Sequence, residues 1–187
     1  KCVLVTGGSK GIGKSVCELF AKKGAIVIFT YRKKDKSIEI IKKNSKNKNY
    51  KIYGYQINNL SNTNLKNFLK KIKKNYKKIN YLVNNIGDAI KRSKFIHSSD
   101  NLWIKSLDIN LMSAVRISKH ILNVYKNDQL DGIINIGSIA GKTFGQGDSL
   151  HYGVAKSALH GFTLGLSKEL ENTRVNCVAP NAVKTNF

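Results

Sequence analysis

The sequence predicts an α/β domain: one doubly wound, mostly parallel sheet with helices on both faces. Three observations predict it. Short β-branched apolar runs alternate with stretches of helical spacing along 187 residues. The connections are short, and no linker or internal repeat divides the chain, so a single domain is expected. A glycine cluster follows the first apolar run at once and opens a helix. Such alternation, with right-handed crossovers, builds a parallel sheet between two layers of helices.

Cys2-Val-Leu-Val-Thr6 is the first buried strand. Gly7-Gly-Ser-Lys-Gly11-Ile-Gly13 follows it. Val16, Leu19 and Phe20 then recur at helical spacing up to Lys23, and Gly24 stops the helix. Glycine lets a backbone turn tightly and approach a phosphate. The helix N-terminus adds N–H groups and the positive end of its dipole. Ala25 to Thr30 is the second strand, and Tyr31-Arg-Lys-Lys34 follows it. An acidic residue there would hold a ribose 2′-hydroxyl; cations there, with Lys10 nearby, favour a 2′-phosphate and hence NADP over NAD. The bland alternative is that these are solvated lysines of a Lys-rich protein.

Residues 37–45 have the spacing of a helix, and Tyr50 to Ile57 alternates as a third strand. Asn59-Leu60-Ser61 leads into a helix with Leu65, Phe68, Leu69, Ile72 and Tyr76 on one face and lysines on the other. Ile79 to Val83 is a fourth strand, ended by Asn84-Asn85-Ile86-Gly87. A polar loop over 88–98 precedes one long helix, from about Ser99 to Tyr125. Its stripe from Leu107 to Ile121 is poor in lysine, which predicts burial inside the domain or between subunits. Ile133 to Gly137 and Thr173 to Val178 are the fifth and sixth strands. With a ligand crevice after the first strand, the expected strand order is 3-2-1-4-5-6.

Composition narrows the function. Lys and Arg total 33 against 11 Asp and Glu, a net charge of +22. The lysines are spread over helix faces and loops among asparagines, without an aromatic-lined groove, so specific nucleic-acid binding is not expected, although attraction to acidic partners is. No run approaches the roughly 18 apolar residues of a membrane span. Cys2, Cys17 and Cys177 form no C-x-x-C pair and have no metal-ligand spacing, which predicts inert thiols in a reducing compartment and no metal site. A cytoplasmic location is expected; the chain begins at Lys1, so a preceding targeting segment is compatible with it.

The chemistry gathers between Ser138 and Lys156. Ser138 lies just after the fifth strand, at the strand end where open α/β sheets bind their ligands. Tyr152 and Lys156 are four apart in a helical run, hence on one face, one turn apart. A cation beside a phenol favours phenolate, so a lowered Tyr152 pKa is expected, suiting proton exchange with a substrate oxygen. Alone, such a pair is usually a solvated helix face.

Taken together, these residues resemble the short-chain dehydrogenase/reductase family over the whole chain, and the implied fold is Rossmann-like. Gly7 with Gly11 and Gly13 resembles its cofactor turn. Asn84-Asn85-Ile86-Gly87 resembles its Asn-Asn-Ala-Gly motif, and Asn110 its active-site asparagine. Ser138, Tyr152 and Lys156 match its catalytic trio, and Val175 to Pro180 its nicotinamide-closing segment. The resemblance implies that NADP contacts Gly7, Ser9, Lys10, Gly11, Ile12, Gly13, Tyr31, Arg32, Asn59, Leu60, Asn85, Ile86, Gly87, Tyr152, Lys156, Pro180, Val183 and Thr185. It also implies that Asn110 anchors a water and that Lys156 holds the nicotinamide ribose. Asn59 stands where many members carry Asp, with an amide oxygen still able to accept a bond from adenine. Asn181 replaces a usual glycine. Members usually continue beyond the position of Phe187 through a substrate segment and a last strand, so a longer parent chain is expected.

The implied activity is reduction of a carbonyl to a secondary alcohol, best matched by a 3-oxoacyl-[acyl-carrier-protein] reductase. Its substrate is then small or acyl-carrier-bound. A sugar, polyol or secondary-alcohol dehydrogenase and a non-catalytic NADP-binding protein are the alternatives. A homotetramer is expected, as is common in the family.

Overall fold

A computed structural model describes residues 1–33, 38–39, 41, 46, 48–125, 130–144 and 147–183. The strands are β1 (Cys2–Val5), β2 (Ile26–Tyr31), β3 (Ile52–Gln56), β4 (Tyr81–Asn84), β5 (Gly132–Ile136) and β6 (Arg174–Val178). They form one parallel sheet in the order β3-β2-β1-β4-β5-β6, as expected. Period-two alternation splits the core. Leu4, Ile28, Leu82 and Ile133 point to one face and pack with Leu65, Leu69, Ile117 and Ile121. Val3, Val5, Val27 and Val83 point to the other, with Cys17 and Ala21.

The helices described are α1 (Gly11–Lys22), α2 (Asn62–Asn75), α3 (Asp100–Leu107), α4 (Ser113–Val124), the short α5 (Ala140–Thr143) and α6 (Leu150–Glu169), of which α1, α2 and α4 carry these residues. Ser61 caps α2 by accepting from Asn64 N–H, and Ser99 caps α3 by accepting from Leu102 N–H. The helix expected over 37–45 falls largely outside the described residues; Ile38 and Ile41 within it are buried.

Two expectations are corrected, and a third, open between two outcomes, is decided. The single helix over 99–125 is interrupted by a π-turn, Asp108–Met112. The cause is Asn110, whose Nδ2 donates to Ser106 O while Ser113 N–H bonds back to Asp108 O, five residues away. Of the two outcomes expected for the lysine-poor stripe, the first holds for Ala114, Ile117 and Ile121, which are buried against the chain's own sheet. The fourth strand begins at Tyr81 rather than Ile79, because Asn80 Oδ1 accepts Cys2 N–H in place of a backbone carbonyl.

A buried polar line runs across the carboxyl ends of the central strands. Asn84 Nδ2 donates to Ser118 Oγ on α4 (3.0 Å) and to Asn135 Oδ1 on β5 (2.8 Å). Asn135 Nδ2 donates in turn to Thr163 Oγ1 on α6 (2.9 Å). Two neighbouring helices on one face of the sheet are thereby tied to the same two strand ends. Cys2 and Cys17 are buried free thiols whose pKa burial pushes up to about 11 and about 12, as inert thiols require. Among the described residues no helix is long and apolar enough to cross a membrane, and no His/Cys/Asp/Glu group could hold a metal.

Candidate active site

The site is built where β1, β4 and β5 end. Thr6 Oγ1 accepts the N–H groups of Asn85 (2.9 Å) and Ile86 (3.3 Å). Asn85 Nδ2 donates to Thr6 O and Gly7 O, both at 3.0 Å. The glycine turn is thus pinned to the neighbouring strand end. Gly7 and Gly11 have φ of 64° and 48°, which only glycine adopts without strain. Ser9 is buried, and Lys10 and Arg32 are exposed.

A dinucleotide fits these residues on two observations. A Cβ on Gly13 would stand 2.4 Å from Asn85 Nδ2 and 2.5 Å from Gly7 O, so the first turn of α1 and the pinned turn meet closer than any side chain permits. No side chain caps α1, and its first turn carries no acidic residue, which leaves its positive end to an anion. From Gly7 a cleft of about 660 Å³ runs past Tyr31 and Arg32 to Asn59 and Leu60, with Ile86 and Gly87 on its other wall. The contacts expected on both sides of the first strand therefore share one crevice.

Within it, Asn59 departs from expectation. Its Oδ1 already accepts Ser61 N–H (3.1 Å) and Asn64 Nδ2 (2.7 Å), so the acceptor foreseen for an adenine edge is engaged by the chain's own turn. Of the closing segment, Pro180 O accepts Ile139 N–H (2.9 Å), which sets Pro180 beside the Ser138 turn. Val183 is half-exposed, and Thr185 lies outside the described residues.

The catalytic candidates stand behind Gly87, on the far side of the cleft wall. The Ser138 side chain lies beside the Tyr152 phenol and favours its charged form, and Ser138 Oγ accepts Ala140 N–H (3.1 Å). Lys156 is buried and donates from Nζ to Ile136 O (2.8 Å). Gly87 joins the two halves: a Cβ there would lie 2.9 Å from Lys156 Nζ and 3.0 Å from Asn110 Oδ1. Asn110 clasps the next residue, accepting Asp88 N–H at Oδ1 (3.0 Å) and donating from Nδ2 to Asp88 O (2.8 Å).

The electrostatics correct one expectation. Tyr152 is raised above the usual tyrosine value, not lowered: burial disfavours phenolate, the Ser138 hydrogen bond opposes it, and the Asp88 charge adds to it. The Lys156 ammonium stands 5.9 Å from the ring centroid, over the ring, and its proton goes to Ile136 O. Burial also pushes the Lys156 amine down to about 8, so the cation is itself held close to losing its charge.

Sequence reasoning did not single out Thr6, Asp88, His151, Asp108 or Arg116. Thr6 and Asp88 flank motifs that were noticed, and His151 immediately precedes Tyr152. The Asp108–Arg116 ion pair (2.6 Å), on the cleft wall, spans eight residues across the π-turn, a spacing that no regular helix pairs.

With this geometry in view, comparison with known proteins identifies the kind of molecule. The family model described as short chain dehydrogenase matches residues 1–187. The chain belongs to the short-chain dehydrogenase family. As a member it is an oxidoreductase of a family that binds a nicotinamide cofactor. It is 31% identical over 192 residues to the 3-oxoacyl-[acyl-carrier-protein] reductase FabG of Escherichia coli (strain K12), covering all of this chain and 75% of that protein. It is 32% identical over 190 residues to FabG of Aquifex aeolicus (strain VF5), again covering 100% and 75%. Among solved structures, an actinorhodin polyketide ketoreductase variant with NADPH superposes with a TM-score of 0.90 at 25% identity, over 100% of this chain and 72% of that one. The ligand-free aldohexose dehydrogenase of Thermoplasma acidophilum gives 0.86 at 26% identity, over 100% and 68%.

The buried amine yields a pH prediction. Below about pH 8 both folded and unfolded chains hold the Lys156 proton; between about 8 and the ordinary 10.5 only the unfolded chain holds it, so stability rises with pH through that window. Denaturant unfolding of the wild type relative to Lys156→Met should show the wild type gaining on the variant from pH 8 to 10. Parallel pH profiles would contradict the buried-cation assignment.

Proposed function

We propose that this short-chain dehydrogenase is an NADPH-dependent carbonyl reductase acting on a 3-oxoacyl group borne by acyl-carrier protein. The observation that carries the reductase chemistry is the Tyr152 phenol beside the Ser138 side chain, on the helix whose Lys156 abuts Gly87 of the cleft wall. The dinucleotide, when bound, supplies the hydride. Gly11, Ile12 and Gly13 hold its pyrophosphate at the start of α1, and Arg32 with Lys10 meets a 2′-phosphate. Ser138 and Tyr152 hold the substrate oxygen between their hydroxyls, and Tyr152 gives it a proton as the carbonyl carbon becomes tetrahedral. A phenol raised by burial stays protonated at neutral pH, which suits the reductive direction. Lys156 keeps a positive charge beneath the phenol, and Asn110 fixes the Asp88 turn that roofs the site.

Likeness to FabG from two bacteria supports the acyl substrate. The net charge of +22 suits an acidic carrier protein. Likeness to an aldohexose dehydrogenase favours, as second reading, a sugar or polyol substrate. The intact Ser138–Tyr152 contact weighs against a non-catalytic role. A homotetramer remains the proposed assembly. The face of α6 around Gly161 and Gly165 suits it: a Cβ on either glycine would meet nothing within 4 Å, and Leu164 between them is 61% exposed.

Two experiments test the proposal. Tyr152→Phe should lower reduction of acetoacetyl-CoA by at least about 100-fold while NADPH binding is kept, because only the proton donor is removed; near-normal turnover would end the assignment. Arg32→Asp should weaken NADPH binding by about 10- to 100-fold, the worth of a charge-assisted hydrogen bond, and leave NADH binding almost unchanged. Equal loss with both cofactors would contradict the NADP reading, and turnover of polyols in preference to the thioester would move the substrate to the second reading.

A further inference from the structure

The strap from Gly87 to Ser93 is stitched at both ends. At its start, the Asn110 amide clasps the Asp88 backbone, as described. At its far end, Lys91 O is hydrogen-bonded to His151 Nε2 (3.0 Å) and Ser93 N–H donates to Asp148 O (2.6 Å). Arg92 Nη1 stands 3.6 Å from Asp148 Oδ2. Between the stitches, Asp88 Oδ1 accepts Ile90 N–H (2.9 Å), and Ile90 has a φ of 60°. A β-branched residue rarely adopts that left-handed conformation, so the turn persists only because its ends are held.

His151 is the fastening that the site does not otherwise explain. It is 1% exposed, immediately precedes Tyr152 on α6, and meets Trp103 edge-on at 6.3 Å. A carbonyl oxygen only accepts, so Nε2 must carry a proton and donate it. Nδ1 is buried with no hydrogen-bond partner among the described residues. If the ring served packing alone, a phenyl group would fill the place without burying an unpaired nitrogen. The N–H is therefore the reason for a histidine here.

We propose that His151 is a positioning residue: through its Nε2–H it fastens the 87–93 strap to the helix turn that carries Tyr152, and so fixes where the phenol meets the substrate carbonyl. The strap's other end abuts Lys156 and Asn110 through Gly87, so the same stitch holds the proton donor, the buried cation and the cofactor wall in one frame. The kinetic consequence rests on the proposed reductase reading; the fastening itself does not.

The test compares His151→Gln with His151→Met. The two side chains are nearly equal in length and volume, and only Gln can donate an N–H. Amide hydrogen exchange over residues 88–93 is measured alongside acetoacetyl-CoA reduction with NADPH. His151→Met should exchange about tenfold faster over that segment, the effect of losing one hydrogen bond. It should also lose about tenfold or more in kcat through misplacement, with the Kd for NADPH unchanged, while His151→Gln stays near wild type in both. Equal behaviour of the two variants, whether both intact or both impaired, overturns the proposal. Should His151→Met fail to fold, His151→Phe, which keeps the aromatic contact with Trp103, takes its place in the same comparison. If the wild type does not reduce the thioester, the substrate reading falls, and the exchange data still decide the fastening.

Discussion

The site depends on one side-chain amide. Asn85 Nδ2, at the end of β4, donates to two successive carbonyls of the neighbouring β1 end, Thr6 O and Gly7 O. The same nitrogen occupies the space that any side chain on Gly13 would need. A turn between a strand and a helix has many conformations open to it, and glycines multiply them. Two hydrogen bonds from a residue anchored in the sheet select one. That choice aims the start of α1 at the crevice, and the following Gly87 carries the same chain segment to Lys156. Cradle and buried cation are held in one frame because Asn85 and Gly87, two residues apart at one strand end, touch one each.

Electrostatics makes the side behind Gly87 unlike the exposed one. Arg32 and Lys10 are exposed, where water screens charge and a ligand phosphate can reach them. Lys156 is buried with a backbone carbonyl as its hydrogen-bond acceptor, and its amine has come down to about 8. Tyr152 beside it has moved the other way, because burial penalises a phenolate as it penalises an ammonium. Desolvation, not the proximity of the cation, dominates both shifts. Both groups are thereby biased toward their neutral forms in the same small volume.

Much of this was legible in the sequence, for physical reasons that differ by element. Buried parallel strands read as continuous β-branched runs, so Cys2–Val5 and Gly132–Ile136 were found within a residue or two, and the strand order followed from connection handedness. The spacing of Tyr152 and Lys156 gave their shared helix face. What was missed is set by long-range contact. The π-turn at Asp108–Met112 arises because Asn110 reaches both Ser106 and Asp88, which no helical period reports. The direction of the Tyr152 shift needed its burial as well as its neighbour. Asn59 looked available to a base until the local turn through Ser61 and Asn64 took both its acceptor sites. His151 and Thr6 carry no pattern of their own; only the fold brings them to Lys91 and Asn85.

The central claim is that the pinned glycine turn is the seat of the dinucleotide. NADPH titration of Gly13→Ala, followed by nicotinamide fluorescence, tests it most directly, with far-UV circular dichroism confirming the fold. The added methyl must displace the Asn85 amide or the Gly7 carbonyl, so a folded variant with NADPH affinity reduced by about a hundredfold or more is the expected result. A folded variant that binds NADPH as tightly as the wild type would contradict the account.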